Sequence, residues 1–155
     1  MSSADIEGLI ATQKASFERA GSGLRASWPR ERSMDAAALA EFLSSRRYAV
    51  LATTRPDGRA HAAPVAFLFA QGAFWIATVE GARLRNLRHH PYASIVIMEG
   101  EGDNHRALLA EGDVALHQES AQLQSLWTER VGSPPDWAAA FIELRPNRVF
   151  SYAAS

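Results

Sequence analysis

Residues 48–98 have the sequence YAVLATTRPDGRAHAAPVAFLFAQGAFWIATVEGARLRNLRHHPYASIVIM, and this stretch decides the fold. Its hydrophobic pattern predicts four strands, over Tyr48–Thr54, Arg59–Phe69, Ala73–Thr78 and Tyr92–Met98. Arg55–Gly58 is predicted to be a turn, because proline presets one backbone φ and glycine accepts a positive one. A short basic helix is predicted over Ala82–His90, ending before Pro91. Short strands with few helices favour a small barrel.

The flanking segments are predicted to add peripheral helices and two more strands. Asp35 is a candidate N-cap for one helix, and Pro146 requires a sheet edge or a bulge in the last strand. The other predicted elements are helices over Ile6–Ala20, Ser120–Arg130 and Trp137–Phe141, and strands over Arg106–His117 and Ile142–Tyr152. Six strands predict a mainly β (α+β) fold, a six-stranded antiparallel barrel with peripheral helices. We expect a single domain over 1–155, with an N-terminal helical extension over 1–34 and the barrel core over 35–155.

The composition disfavours several classes of protein. The 16 Lys and Arg residues are balanced by 17 Asp and Glu residues, whereas a dedicated nucleic-acid binder usually has a basic excess. No apolar run is long enough to span a bilayer, and the first residues lack the features of a signal peptide. We therefore expect a cytoplasmic protein with no nucleic-acid or membrane partner. Cysteine is absent, which excludes a thiolate nucleophile, and Lys14 is the only lysine, so a phosphate site must use arginine.

Two segments form the strongest candidate ligand site. His61–Val65 is nearly free of large side chains, so a flat ring could lie against its backbone, and Pro64 interrupts the strand's hydrogen bonding. Thr78–Leu87 supplies a helix N-terminus with Arg83 in its first turn. A cation there opposes the helix dipole and costs about 0.3–1 kcal/mol unless an anion is bound. Spacing alone also allows a plainer interpretation, in which the small residues pack and the arginines form a solvated helix face.

The segments LATTRPDGRAHAAPVAF and FWIATVEGARLRNLRHHPYASIVI resemble the FMN-binding split-barrel family, also called the pyridoxamine 5′-phosphate oxidase-like family. The matching elements are a strand that ends in Ala-Thr, an Asp-Gly turn, a Pro-Val strand and the motif Arg-x-x-Asn-Leu-x-x-x-Pro. The resemblance covers roughly residues 40–117, and the closing IELRPNRVFSY is similar to the family's last strand.

This resemblance implies a split β-barrel that forms a homodimer with two cofactor sites in the clefts between subunits. It implies that Arg83 is the basic phosphate ligand, that Ala77 and Thr78 end the strand beside the phosphate, and that the strand from His61 lines the flavin ring. The implied cofactor-binding residues are His61, Ala62, Ala63, Pro64, Val65, Ala77, Thr78, Gly81, Ala82, Arg83 and Asn86.

Three positions depart from the family's pattern. Gly81 lies where a serine commonly contacts phosphate, and Ala82 lies where the true pyridoxamine-phosphate oxidases carry a second arginine. Ala66 replaces a lysine of those enzymes. Pyridoxamine phosphate is therefore not the expected substrate, and phosphate affinity is expected to rest on Arg83 and backbone N–H groups.

The resemblance leaves two cofactors open. FMN is the first, and the 8-hydroxy-5-deazaflavin (F420-type) coenzyme is the alternative, because ARLRNLRHHPYAS and LLAEGDVAL are similar to that branch of the family. The anionic tail of the deazaflavin could meet any of several arginines: Arg25, Arg30, Arg32, Arg85 and Arg88.

Two classes of function follow. The first is a flavin- or deazaflavin-dependent oxidoreductase with a small-molecule substrate that the sequence does not identify. The second is a non-catalytic protein that binds or carries flavin, deazaflavin or haem on the same fold. No side chain stands out as an obligatory catalytic acid or base, and His61 is the one candidate for that role. His89 and His90 are helix neighbours whose side chains point apart, so we expect no metal site.

Overall fold

The computed structural model describes residues 1–155, which form five α-helices and one seven-stranded sheet. The helices are α1 (Ser3–Arg19), α2 (Ser22–Ser27), α3 (Ala36–Ser45), α4 (Ala82–His89) and α5 (Ala121–Val131). The strands are β1 (Tyr48–Thr54), β2 (Ala60–Ala66), β3 (Leu68–Ala70), β4 (Ala73–Thr78), β5 (Tyr92–Glu99), β6 (Arg106–His117) and β7 (Ala140–Ala153). None of the helices combines the length and hydrophobicity needed to cross a bilayer.

The sheet has the strand order β2-β1-β5-β6-β7-β4-β3, and every pairing is antiparallel. Its two edge strands, β2 and β3, are consecutive in the chain and are separated only by Phe67. The N–H of Phe67 donates to the carbonyl of Arg47 over 3.0 Å, and its side chain is buried. At this residue the chain leaves β1 and begins to pair with β4, so the sheet curls until its two edges meet in one bent segment.

This change of partner explains the strand count. The mainly β, α+β class with peripheral helices is confirmed, but the sheet has seven strands where six were predicted. The single strand predicted over Arg59–Phe69 is broken at Phe67 into β2 and β3. The hydrophobic pattern continues through the break because Phe67 and Phe69 are both buried. Periodicity therefore could not reveal it.

The core lies inside the curled sheet and beneath α1 and α3. Leu51, Ile95, Leu108 and Ile142 lie in its centre with no exposed surface. Each large apolar side chain that is fully buried contributes about 1.5–3 kcal/mol. The helix α3 closes one side of this core with a buried apolar stripe: Leu39, Phe42 and Leu43.

Both ends of α3 are capped by side chains. Asp35 is the N-cap, as predicted, and its Oδ1 accepts from the N–H of Ala38 over 2.9 Å. At the other end Arg130 of α5 donates to the carbonyls of Ser44 (2.7 Å), Leu43 (3.0 Å) and Arg46 (2.5 Å). A cation at a helix C-terminus is favourable because the last carbonyls otherwise lack donors.

A buried polar cluster ties α1 to β7. The side-chain amide of Gln13 donates to the carbonyl of Met34 over 3.0 Å, and the N–H of Met34 donates to the Ser151 hydroxyl over 2.9 Å. The Ser151 hydroxyl in turn donates to Gln13. The Ser16 hydroxyl accepts from the N–H of Val149 over 3.0 Å. The residues predicted as an N-terminal extension are thus joined to the last strand by paired polar groups.

Two features of β7 bear on the predictions. The register between β6 and β7 shifts between Glu111 and Gly112, and Gly112 faces Pro146. Pro146 therefore lies at a bulge, one of the two settings predicted for it. The helix predicted over Trp137–Phe141 is wrong, because Ala140 already begins β7 and pairs with Thr78 of β4. The strand partner overrides the local helical pattern there.

The bulge predicts a strict requirement for glycine at position 112. A Cβ on Gly112 would lie 2.0 Å from the carbonyl oxygen of Arg145, so Gly112→Ala must displace the backbone of β7. We expect this variant to lose about 1–3 kcal/mol or more in free energy of unfolding, measured by urea denaturation. The matched control is Gly8→Ala in α1, where no atom lies within 4 Å of the new Cβ. That variant should gain about 0.5–1 kcal/mol. Equal stability of the Gly112 variant and the wild type would contradict the bulge.

Candidate functional site

The predicted site lies at the end of the barrel where β1, β2 and β4 meet α4. The strand β4 ends at Thr78, a three-residue connection follows, and α4 begins at Ala82. The helix packs back against β1. The chain therefore returns over the end of the barrel and places the first turn of α4 beside the end of β4.

Arg83 is the central charged group of this site. It is half-buried, and its Nη1 donates to the hydroxyl of Thr78, itself buried, over 2.9 Å. The Arg83 Nε is buried without a hydrogen-bond partner, and Arg83 takes part in none of the ion pairs of the structure. Burial lowers the pKa of the Arg83 guanidinium. A half-buried cation without a counter-ion is unfavourable, and an anion bound beside it would relieve that cost.

The first turn of α4 also lacks a negative partner. Gly81 is its N-cap residue and supplies no side-chain hydrogen bond, so the helix N–H groups at this end have no side-chain acceptor. Glu80 comes directly before it, but Arg88 holds both oxygens of that carboxylate at 2.7 and 3.1 Å. This pairing lowers the pKa of the Glu80 carboxyl and raises that of the Arg88 guanidinium. The Glu80 carboxylate is therefore paired with Arg88 and forms no ion pair with Arg83.

Asn86 and Thr53 fix the helix to the barrel. The Asn86 side-chain amide donates to the Thr53 hydroxyl over 3.1 Å, and both residues are buried. Asn86 lies one turn after Arg83, so this bond sets the position of the first turn of α4 against β1. The place of Asn86 in the predicted cofactor-binding set stays a prediction. Its side-chain nitrogen, however, already donates a hydrogen bond to Thr53 within the fold.

The strand β2 divides the predicted ring-lining residues between two faces. His61, Ala63 and Val65 are partly or fully buried, whereas Ala62 and Pro64 are exposed. This alternation follows from the two-residue period of a strand. A planar ligand on the outer face would therefore meet only Ala62 and Pro64 through side chains.

Unpartnered polar atoms concentrate in the predicted site. Three buried side-chain nitrogens lack a hydrogen-bond partner, and two of them are the Arg83 Nε and the His61 Nδ1. Buried polar atoms in folded proteins are normally paired, so each exception needs an explanation. His61 pairs with Thr53 across β1 and β2, and Thr53 is the acceptor for Asn86. The strand register therefore places His61 opposite Thr53, the residue that is hydrogen-bonded to α4.

The remaining predicted residues have different surroundings. The Ala77 side chain is buried under α5 with Trp75, Trp127 and Phe141, and Ala77 pairs with Phe141 in the sheet, so it is not open to a ligand in this chain alone. Gly81 is exposed and Ala82 is half-buried at the start of α4. The structure therefore brings together Thr78, Gly81, Ala82, Arg83 and Asn86 at one junction, with His61–Val65 on the neighbouring strand.

Sequence reasoning missed Thr53. Its partner Asn86 is 33 residues away in the sequence, and no local pattern joins the two. The available signal was a threonine at the end of a strand, which is also common in strands without any such role.

Comparison with known proteins identifies the family. The family model of pyridoxamine 5′-phosphate oxidase matches residues 36–153. The chain belongs to this family. The resemblance read from the sequence is therefore confirmed, while a search of curated proteins finds no match.

Three solved structures share the fold of this chain at low sequence identity. The heme storage protein HutZ of Vibrio cholerae is 22% identical with a TM-score of 0.64, over 74% of this chain and 92% of its own. An FAD-binding protein of Mesorhizobium loti is 18% identical with a TM-score of 0.61, over 77% and 93%. An F420 reductase is 22% identical with a TM-score of 0.59, over 70% and 93%. These likenesses show a common fold.

The bond between Thr53 and Asn86 gives a prediction about stability. Thr53→Val keeps the shape of the side chain but leaves the buried Asn86 amide without its acceptor, which should cost about 1–3 kcal/mol in free energy of unfolding. The control is Thr54→Val on the same strand, where the side chain makes no hydrogen bond with another residue and points to the opposite face. Thermal and urea unfolding of both variants check this. A loss of equal size in the control would assign the effect to strand propensity instead.

Proposed function

We propose that this chain is a flavin- or deazaflavin-dependent oxidoreductase that binds its cofactor non-covalently, with the cofactor phosphate on Arg83. The observation that carries this proposal is the half-buried Arg83, whose Nε is buried without a partner beside an uncapped helix N-terminus. A phosphate oxygen there would accept from the guanidinium and from backbone N–H groups of the first turn of α4. It would also supply the negative charge that the helix dipole favours.

The residues present fit a cofactor of this kind. A phosphate matches the Arg83 guanidinium, which takes part in no ion pair and whose buried Nε has no hydrogen-bond partner. When bound, the cofactor supplies hydride transfer through its ring. The protein holds the phosphate through Arg83, fixes α4 through Asn86 and Thr53, and presents the small residues Ala62 and Pro64 to the ring.

The proposal includes a homodimer, with the cofactor cleft between two copies of the chain. An exposed apolar face supports it. Tyr48 is 72% exposed, Met98 is 59% exposed and Val50 is 37% exposed. Val50 pairs with Pro64 on one side and with Val96 on the other, so these residues form one continuous outer face of β2, β1 and β5. Contiguous apolar surface of this kind marks interaction sites. A second copy on this face would cover the residues beside Ala62 and Pro64 and create the cleft that the ring occupies.

Two residues at the start of α4 differ from the family's pattern, and this difference bears on which substrate we propose. Ala82 and Gly81 offer no charged or hydroxyl group, so a second phosphate clamp like that of the pyridoxamine-phosphate oxidases is lacking. The proposed substrate is therefore a small molecule other than pyridoxamine phosphate. For the cofactor, FMN and the 8-hydroxy-5-deazaflavin coenzyme are both compatible with Arg83, and the F420 reductase of similar fold supports the second.

A non-catalytic carrier of flavin, deazaflavin or haem is the second candidate. It is favoured by the side chains of the site, which include no carboxylate, thiol or lysine. The similar fold of a protein named for heme storage is compatible with it. Addition of a reduced nicotinamide to the loaded protein separates the two: an oxidoreductase bleaches its flavin or deazaflavin absorption, and a carrier does not.

Arg83→Ala should weaken binding of the cofactor without loss of the fold. Loss of a hydrogen bond to a charged group costs about 1.5–3 kcal/mol, which corresponds to roughly a 10- to 100-fold increase in Kd. The free energy of unfolding without ligand should change by less than about 1 kcal/mol, since the cation opposes the helix dipole. Titration of the purified protein with FMN and with the deazaflavin coenzyme measures the first effect, and urea unfolding measures the second.

The matched control for this variant is Arg88→Ala on the same helix. Arg88 is exposed and paired with Glu80, so its removal should leave both Kd values unchanged. Full cofactor affinity in the Arg83 variant would show that the phosphate site is misassigned.

The apolar face gives a separate prediction about oligomeric state. Val50→Glu places an unpaired charge in the proposed interface, so we expect a shift from dimer to monomer in analytical ultracentrifugation. The control is Val131→Glu on α5, where the valine is 41% exposed outside this face. That variant should remain dimeric. A dimeric Val50 variant would place the interface elsewhere.

A further inference from the structure

The end of α1 and the segment after it carry an excess of positive charge that the proposed site does not use. Residues 14–32 contain five of the chain's 16 Lys and Arg residues but only two of its 17 Asp and Glu residues. All five basic side chains are exposed, and none of them takes part in an ion pair. They are Lys14, Arg19, Arg25, Arg30 and Arg32. The balanced composition of the whole chain therefore conceals a local basic region.

Most of this region lies outside the hydrophobic core. Neither α2 nor the short 3₁₀ helix over Arg30–Arg32 has a buried residue. The side chains of these two helices can therefore contact a partner without any change in the core.

Aromatic rings hold two of the arginines in place. The guanidinium carbons of Arg25 and Arg30 lie 4.9 and 5.3 Å from the centre of the Phe17 ring. Trp28 packs on the buried Phe150 of β7, with the ring centres 6.1 Å apart. A cation–π contact orients a guanidinium through its face and leaves the N–H groups at its edge available. We call these exposed groups the arginine surface: Arg25, Arg30 and Arg32, with Phe17 and Trp28.

The arginine surface keeps most of its hydrogen-bond donors. One N–H of Arg25 donates to the carbonyl of Glu18 over 3.0 Å, and one N–H of Arg32 donates to the carbonyl of Ala154. A guanidinium has five N–H groups, so each of these side chains is fixed and still has donors for a ligand. Side chains that are ordered before binding lose less entropy when a partner arrives.

An acidic loop borders the arginine surface near the C-terminus. Arg32 is bonded to Ala154, and the hydroxyl of the next residue, Ser155, donates to the carbonyl of Asp103 over 2.9 Å. The exposed carboxylates of Glu101 and Asp103 take part in no ion pair. A long polyanion such as a nucleic acid, or a broad anionic membrane, would meet these carboxylates and be repelled. A short anionic segment avoids them.

The arginine surface is separate from the Arg83 site within one chain. The strand β4, which leads to Arg83, pairs with residues 140–144 of β7. The arginine surface contacts Phe150 and Ala154, on the other side of the bulge at Pro146. A ligand of this surface is therefore independent of the proposed cofactor.

We propose that the arginine surface binds a short acidic segment of another protein. Arginine and tryptophan are enriched among the residues that contribute most to protein interfaces. Arginine also pairs with a carboxylate through two parallel hydrogen bonds, which makes Asp and Glu side chains the matching groups. The partner segment is a run of such residues that is short enough to avoid Glu101 and Asp103.

The test uses a fluorescein-labelled oligoglutamate peptide and an oligoglutamine peptide of the same length. Fluorescence anisotropy at about 0.15 M ionic strength should show that the protein binds the first peptide and not the second. The double variant Arg25→Ala/Arg30→Ala should raise the Kd for oligoglutamate roughly tenfold or more, because charge-assisted hydrogen bonds are lost.

The matched control is the double variant Arg47→Ala/Arg59→Ala. It removes the same charge from exposed positions outside the arginine surface, so its Kd for oligoglutamate should equal that of the wild type. Thermal unfolding of both double variants should match the wild type, since all four side chains are exposed.

Four outcomes would overturn the proposal, and none of them bears on the proposed function at Arg83. The first two are no binding of oligoglutamate by the wild type and an equal loss of affinity in both double variants. The third is tighter binding of oligothymidylate or of phosphatidylserine vesicles, which would assign the surface to a nucleic acid or a membrane. The fourth is displacement of the peptide by the deazaflavin coenzyme, which would assign these arginines to the cofactor.

Discussion

The hydrogen bond from the Phe67 N–H to the Arg47 carbonyl marks the point on which the arrangement of the molecule depends. Before it the chain pairs with β1, and after it the chain pairs with β4. The Phe67 N–H therefore finds its acceptor outside both ladders, at the residue that joins the two edges of the sheet. This closure leaves the end of β4, the start of β2 and the helix α4 at the same end of the barrel. The position of the proposed ligand site is a consequence of how the sheet closes.

Two partly buried arginines, Arg130 and Arg83, differ in how completely the fold satisfies their guanidinium groups. Burial lowers the pKa of both Arg130 and Arg83. Arg130 lies at the C-terminus of α3 and donates to three carbonyls, so its charge is compensated within the fold. Arg83 lies at the N-terminus of α4 with one hydroxyl acceptor and an unpartnered Nε. The contrast assigns Arg130 to stability and supports the proposed role of Arg83 in binding a ligand, since uncompensated groups concentrate at functional sites.

Features that depend on neighbouring residues could be predicted from the sequence, and features that depend on distant partners could not. The Asp35 cap, the start of α4 after Gly81 and the need of Pro146 for an edge or a bulge each follow from a property of that residue. The break at Phe67 and the strand at Ala140 arise from pairing with segments far away in the chain, which overrides local preference. The junction around Arg83 was predicted because its helix signals are local. The buried link from Asn86 to Thr53 was not, because either residue alone is unremarkable.

The position of β7 in the sheet has a consequence for synthesis of the chain. It is the last strand in sequence, yet it lies between β6 and β4, and its Val149 N–H also donates to Ser16 of α1. While a ribosome is still producing the residues after β6, both neighbours of β7 have open backbone edges and the interior faces water. The barrel therefore cannot close during translation of its first six strands. Folding must wait for the final strand, and the incomplete nascent chain is the species most exposed to aggregation and most in need of a chaperone.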